Sequence, residues 1–207
     1  DMEILPDVHH LPKALSLIDQ KALVKIYLES RSEFYQPKLK SGHNMNLKML
    51  CFGKHWNPID YQYYPDRRDF DKKIVSSLPL KLSELATKFL LQTFPNHEAV
   101  WDLCVVNYYA PGSSLGLHVD NSEKLETLQS GHPIVSFSVG ASAVFNLGGL
   151  DRKDEIKDVL LESGDVIIFG NTSRLRYHGV SKIEKALNTP LNSLLGNGRL
   201  NFTLRKY

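Results

Sequence analysis

The 207 residues carry a formal charge of +2, with 42% hydrophobic and 23% charged residues, a balance that disfavours both intrinsic disorder and a membrane class. This length suits one substantial core and is short for two full domains. No apolar run approaches the roughly eighteen residues of a membrane-spanning helix, no signal peptide is visible at Asp1-Met-Glu-Ile4, and so small a net charge neither demands nor excludes a nucleic-acid partner.

In chain order, His9 and His10 come first, in a short segment between Pro6 and Pro12. Adjacent side chains of an extended chain face opposite ways, so the two are poor co-ligands and are expected at the surface. Residues 18–29 then place Ala22, Leu23, Ile26 and Tyr27 at helical spacing, with Asp19 able to cap the first turn. The loop 36–46 is basic, holding Lys38 and Lys40 with Lys48 just beyond. Such a run is either a solvated face or, beside a groove, a phosphate contact.

From Met49 to Phe70 aromatic residues (Phe52, Trp56, Tyr61, Tyr63, Tyr64) are interleaved with Lys, His and Arg. This suits base stacking with backbone contacts, or equally a hairpin whose rings cover the core. His55 and His97 are expected to be surface residues. Cys51 and Cys104, each among apolar neighbours, are expected to be buried reduced thiols, which fits an intracellular protein. A second amphipathic helix follows Pro79, with Leu82, Leu85, Ala86, Phe89 and Leu90 on its apolar side.

From Trp101 the pattern changes to short β-branched and aromatic runs between turn residues, at 101–109, 134–139, 143–147, 159–161, 165–169, 175–181 and 200–206. Strands of this kind predict a double-sheet jelly roll rather than an open parallel sheet, and with the helices ahead of it the class is α+β. Residues 151–158 read as a polar hairpin tip and 187–198 as a solvent-facing loop.

Chemistry shows most plainly at His118 and Asp120, two apart in an extended segment and therefore on one face. An imidazole and a carboxylate supply most of a two-His-one-carboxylate facial triad, which holds Fe(II) and leaves open positions for substrate and oxygen. His178, in another alternating segment, is the candidate for the second imidazole. In the tail, Arg199, Asn201, Thr203 and Arg205 alternate with Leu200, Phe202 and Leu204. The two arginine Cα atoms would stand about 20 Å apart in a flat strand, so they would reach inward to opposite ends of a small dianion. A Zn(II) hydrolase offers paired arginines no role.

Asn107-x-Tyr109-x-Pro-Gly, His118-x-Asp120, Arg174-x-x-x-His178-Gly and Arg199-x-Asn-x-Thr-x-Arg205, in that order across residues 104–207, resemble the AlkB family of Fe(II)- and 2-oxoglutarate-dependent dioxygenases. The Ser122-Glu123 pair resembles its eukaryotic branch, related to the first human homologue; the bacterial enzyme has an aspartate where Ser122 stands. The resemblance implies one domain, with helical support and a nucleotide-recognition lid over 1–100 and a double-stranded β-helix (jelly-roll) catalytic core over 101–207. It implies Fe(II) on His118, Asp120 and His178, and 2-oxoglutarate against Asn107, Tyr109, Leu115, Arg199, Asn201, Thr203 and Arg205. In that arrangement Arg199 and Tyr109 grip the distal carboxylate, and Arg205 serves the metal-proximal end.

By the same resemblance, Phe52 or Trp56 stacks on a flipped base, with Ser122, Glu123, Lys38 and Lys40 as further substrate contacts. The implied activity is oxidative demethylation of N-methylated bases in DNA or RNA, N6-methyladenine or N1-methyladenine for example, consuming dioxygen and releasing formaldehyde and succinate. An intracellular monomer, in the nucleus, the cytoplasm or both, with an organelle as the alternative and no membrane partner, is expected. The competing readings are a 2-oxoglutarate oxygenase of protein or lipid and a non-catalytic nucleic-acid-binding module. Formaldehyde release from methylated oligonucleotides tests the first, and a complete triad with both arginines argues against the second.

Overall fold

Both amphipathic stripes fold as helices. In the structure, a computed structural model that describes residues 2–184 and 191–207, α1 spans Leu17–Ser30 and α2 spans Leu80–Thr93. The cap on α1 is a correction: Ser16, not Asp19, closes the first turn, its Oγ accepting from the Asp19 amide at 3.1 Å. Ser16 has the extended backbone that aims a short hydroxyl at an orphan N–H. Asp19 lies inside the turn and pairs with Lys81 Nζ at 2.8 Å, tying the starts of the two helices together.

Among the described residues the strands are β1 (Met2–Leu5), β2 (Val8–Leu11), β3 (Lys48–Phe52), β4 (His55–Trp56), β5 (Tyr63–Tyr64), β6 (Leu103–Tyr109), β7 (Leu115–His118), β8 (Ile134–Gly140), β9 (Ala143–Leu147), β10 (Lys157–Leu161), β11 (Val166–Phe169), β12 (His178–Ile183) and β13 (Arg199–Arg205), with a short α3 (Leu125–Ser130) before β8. They form a larger sheet in the order β1-β2-β11-β8-β13-β6-β3, a smaller one in the order β10-β9-β12-β7, and a separate β4–β5 hairpin. Neighbours are antiparallel throughout. The two sheets make the double-stranded β-helix, or jelly roll, and the class is α+β.

Three strands of the larger sheet come from the first hundred residues, β1 and β2 at one edge and β3 at the other. His9 and His10 therefore lie within a strand rather than free at the surface. His10 Nε2 is 2.9 Å from Asp165 Oδ2, and the His9 ring meets Phe94 edge-on. A four-residue strand is too short for alternation to announce it in sequence. Positions 187–190 of the expected loop lie outside the described residues. No helix among the described residues is long and apolar enough to cross a membrane.

Alternation decides what each face of the larger sheet does. On β13, Leu200, Phe202 and Leu204 join Val135, Phe137 and Val139 of β8 and the apolar stripe of α2 in one buried cluster. Each such side chain contributes roughly 1.5–3 kcal/mol when removed from water. The residues between them, Arg199, Asn201, Thr203 and Arg205, face the space between the sheets, together with Phe145, Phe169 and Val180. Cys51 and Cys104 are buried free thiols.

Candidate active site

The smaller sheet brings the histidines together. His178 on β12 is the cross-strand partner of His118 on β7, and the two rings stand 4.4 Å apart between centroids. Asp120, two residues past His118, puts Oδ1 3.6 Å from His118 Nε2 and Oδ2 3.2 Å from His178 Nε2. All three offer ligand atoms within 4.8 Å of one another. Gly179 is what allows the two strands this close, since a Cβ there would meet the Leu115 carbonyl oxygen at 2.7 Å.

The protonation states suit a cation. His118 Nδ1 lies 2.9 Å from the Gly116 carbonyl and His178 Nδ1 lies 3.0 Å from that of Arg176. Nδ1–H donation to those carbonyls assigns the lone pairs to Nε2, on the side of Asp120. Burial, with His178 alongside, pushes the His118 pKa down to about 4, so this imidazole is neutral at pH 7. Burial alone would raise the Asp120 carboxyl, but Arg205, His178 and His118 outweigh it and hold the group well below the usual range.

Beside these three the pocket encloses about 470 Å³, including its open mouth, and is lined by Asn107, Tyr109, Leu115, Arg199, Asn201, Thr203 and Arg205 among others. The register of β6 against β13 sets Asn107 opposite Asn201 and Tyr109 opposite Arg199. Asn201 Nδ2 donates to Ser136 Oγ at 2.7 Å, and Thr203 Oγ1 donates to Asn201 Oδ1 at 2.9 Å. Arg199 is 1% exposed, yet its Nε and Nη1 have no hydrogen-bond partner. Burial lowers its pKa to about 10, only partly offset by Tyr109 and Asp165. A guanidinium so placed lacks an anion of carboxylate geometry. Arg205 marks the other end, with Nη2 3.4 Å from Asp120 Oδ2 and Nη1 donating to the Tyr63 hydroxyl at 2.9 Å.

The expected substrate contacts divide. Trp56 comes to the segment that follows Asp120 without lining the pocket: its Nε1 donates to Ser122 Oγ at 3.3 Å, and its ring stacks on Tyr61 at 5.5 Å with planes 10° apart. Phe52 does not. It is the residue after Cys51 on β3, so alternation turns it to the opposite face, into the helix-side cluster. Lys38 and Lys40 stand on the exposed 36–46 loop, and neither lines the pocket. Glu123 is buried, with Arg174 Nη2 donating to its Oε1 at 2.5 Å. His55, expected at the surface, is fully buried, its Nε2 2.7 Å from Asp69 Oδ1. An ion pair can bury an imidazole without any apolar signal in the sequence.

Sequence reasoning gave no role to Ser136 or Arg174 and took Tyr63 only as a stacking or core-covering ring. Arg174 was visible in the Arg-x-x-x-His spacing, whereas the other two are marked by nothing local. It passed over Lys124 and saw Lys54 only as the lysine of the aromatic run; the Nζ atoms of Lys54 and Lys124 lie 4.7 and 5.3 Å from the centroid of the same Tyr207 ring.

Two imidazoles and a carboxylate form a nitrogen and oxygen donor set suited to Fe(II), and the unpartnered Arg199 suits a dicarboxylate co-substrate. The class follows, and a comparison of families agrees: the chain belongs to the 2OG-Fe(II) oxygenase superfamily, whose profile matches residues 7–205. Its cofactors are Fe(II) and 2-oxoglutarate, as the resemblance implied. Within the superfamily the similarity is to AlkB proteins. The chain is 44% identical over 181 residues to the alpha-ketoglutarate-dependent dioxygenase AlkB of Escherichia coli (strain K12), covering 86% of this chain and 79% of that one. It is 34% identical to the DNA N(6)-methyladenine demethylase ALKBH1C of Arabidopsis thaliana, covering 99% of this chain but 49% of the relative. The chain thus spans about half the length of that plant protein. The solved structure described as "The structure of OsALKBH1" superposes with a TM-score of 0.84 at 34% identity, covering 100% of this chain and 99% of that one.

Proposed function

We propose that this chain is an Fe(II)- and 2-oxoglutarate-dependent oxidative demethylase of N-methylated bases in DNA or RNA, acting as one dioxygenase unit. The observation that carries the reading is a two-His-one-carboxylate cluster facing a buried guanidinium across one pocket. Relatives named as DNA N(6)-methyladenine demethylases support the substrate class. His118, Asp120 and His178 hold the metal. Arg199 and the Tyr109 hydroxyl take the distal carboxylate of 2-oxoglutarate, and Asn107, Leu115, Asn201 and Thr203 shape its seat. The chemistry supplied by Fe(II) with 2-oxoglutarate and dioxygen is hydroxylation of the N-methyl group, with succinate and CO2 as co-products and formaldehyde leaving the hydroxymethyl product.

The chain's own work is selection and placement. A base within a duplex has to leave the stack to reach the pocket. Trp56, carried by the β4–β5 hairpin and held by Ser122, gives that base a flat apolar surface at the mouth. Lys54 and Lys124 have no carboxylate partner among the described residues, and they meet the flanking phosphates in the role first assigned to Lys38 and Lys40. The buried reduced thiols support an intracellular place, in nucleus or cytoplasm, and the chain acts as a monomer. The test is a panel of methylated single- and double-stranded oligonucleotides assayed for formaldehyde and succinate. Wild type is expected to release both, and His118→Ala neither. Succinate that persists in His118→Ala, or turnover of methylated peptides in place of every oligonucleotide, would overturn the reading.

A further inference from the structure

We infer that Glu123 does not read the base but is a positioning residue, fixing Asp120 and Arg205 through a buried charge network that Arg174 anchors and Tyr63 of the β4–β5 hairpin completes. Arg174 is 1% exposed and spends its whole guanidinium inside the protein. Its Nε donates to the His132 carbonyl at 3.0 Å, Nη1 to the backbone carbonyl of Asp120 at 2.6 Å, and Nη2 to Glu123 Oε1 at 2.5 Å. The other carboxylate oxygen of Glu123 accepts from the Tyr63 hydroxyl and lies 3.5 Å from Arg205 Nη1. Arg205 in turn donates from Nη1 to the Tyr63 oxygen and approaches Asp120 Oδ2 with Nη2. The path closes on itself: from the Asp120 backbone through Arg174, Glu123, Tyr63 and Arg205 to the Asp120 side chain.

Two physical consequences separate this role from substrate reading. Both oxygens of Glu123 are engaged within the network, its side chain is fully buried, and it does not line the pocket, so it offers a base no free acceptor. Two carboxylates balance two guanidinium groups, which is the condition under which buried charges are tolerated. Removing the charge of Glu123 leaves Asp120 as the one carboxylate of the network: Arg174 keeps only the His132 and Asp120 backbone carbonyls, and Arg205 keeps the Tyr63 hydroxyl and the Asp120 side chain. Arg205 then competes for Asp120 Oδ2, the oxygen beside His178 Nε2, and Asp120 would become a poorer ligand.

The inference rests on His118, Asp120 and His178 being the metal ligands, and its test keeps the two apart. Mn(II) affinity is measured by calorimetry on the full chain without 2-oxoglutarate, for wild type, Glu123→Gln and Tyr63→Phe. In parallel, relative rates are compared across a panel of methylated bases. Loss of an interaction that orients a ligand costs about 10–100-fold in metal affinity. Glu123→Gln is expected to fall in that range and Tyr63→Phe by less, with the order of preferred bases unchanged. If Glu123→Gln does not fold, Tyr63→Phe, which lacks one hydroxyl only, decides by the same criterion. Wild-type Mn(II) affinity in the variants, or a changed order of preferred bases with metal affinity intact, overturns the inference. Wild type that binds no Mn(II) overturns the metal assignment instead.

Discussion

Replacing Arg199 with methionine should make the protein more stable without 2-oxoglutarate and nearly unable to bind it. The guanidinium is 1% exposed with two unpartnered nitrogens, and burial has brought its pKa from 12.5 to about 10. At 1.36 kcal/mol per pH unit this is a penalty of about 3 kcal/mol on the charged form in the fold relative to the unfolded chain. Methionine fills a similar volume without a charge, and imperfect repacking returns less than about 1.5 kcal/mol of the gain. A net gain of about 2 kcal/mol raises Tm by on the order of 5 °C in a chain of this length. Affinity moves the other way, because hydrogen bonds to a charged group are worth roughly 1.5–3 kcal/mol each. Losing a two-point contact then weakens 2-oxoglutarate binding by at least about 100-fold. Scanning fluorimetry with Mn(II), with and without 2-oxoglutarate, reads both effects in one experiment. An Arg199→Met protein whose Tm is not raised, and which still shifts with 2-oxoglutarate as wild type does, refutes the assignment of this end of the pocket.

Trp56→Ala should lower kcat/KM on methylated oligonucleotides by about 10–100-fold, the loss of one base–aromatic stack, while the Kd for 2-oxoglutarate stays at the wild-type value; a parallel loss of 2-oxoglutarate affinity would remove Trp56 from the substrate side. Lys54→Ala combined with Lys124→Ala should flatten the salt dependence of oligonucleotide binding by about 1.5–2 in log–log slope, and an unchanged slope contradicts phosphate contact. The β4–β5 hairpin should loosen at alkaline pH. Burial opposes protonation of His55, but Asp69 and the neighbouring Cys51 outweigh it and raise its pKa from 6.5 to about 9. The folded state thus holds this proton more tightly than the unfolded chain, so the contribution, about 3 kcal/mol, is whole below pH 6.5 and is lost as pH rises through 9. Hydrogen exchange at β4 and β5, corrected for intrinsic rates, should accelerate across that window in wild type and not in His55→Gln. A wild type with flat protection would show that the pair does not hold the hairpin.

How much of the fold was legible depended on how far each element's own period extends. The stripe Leu82, Leu85, Ala86, Phe89, Leu90 repeats over three turns and names α2 unaided. The alternation of Arg199 to Arg205 separates an apolar face from a polar one along the whole of β13. By contrast, β1 and β2 have four residues each and β4 and β5 two, lengths at which any pattern is chance. Two strands of this region are held by partners far along the chain, β2 by β11 and β3 by β6, while β1 leans on β2 and β4 pairs with β5. Tertiary pairing decides their existence, and a local reading sees only a helical support region. The Asp19 cap failed for a smaller reason. Ser16 lies one turn earlier, before the apolar stripe begins, and either residue type suits the role.

The site divides along the same line. The residues proposed for the metal and the co-substrate were legible as a group because strand geometry fixes their spacing: side chains at i and i+2 share a face, and four alternate positions of one strand share another. Residues of the β4–β5 hairpin obey no such rule. Trp56 meets Ser122 across 66 positions and Tyr63 meets Arg205 across 142, so nothing in either neighbourhood marks the contact. Charge misleads further, because an exposed and a buried glutamate are the same letter. Glu123 next to Ser122 reads as a substrate contact until Arg174, 51 positions on, is found donating to it. A buried carboxylate needs a buried cation, and the Arg-x-x-x-His spacing had already put an arginine one turn of chain ahead of a metal-ligand candidate, where no co-substrate role was left for it. That surplus positive charge, set against a surplus negative one beside Asp120, is the one local sign in this sequence that the two were made for each other.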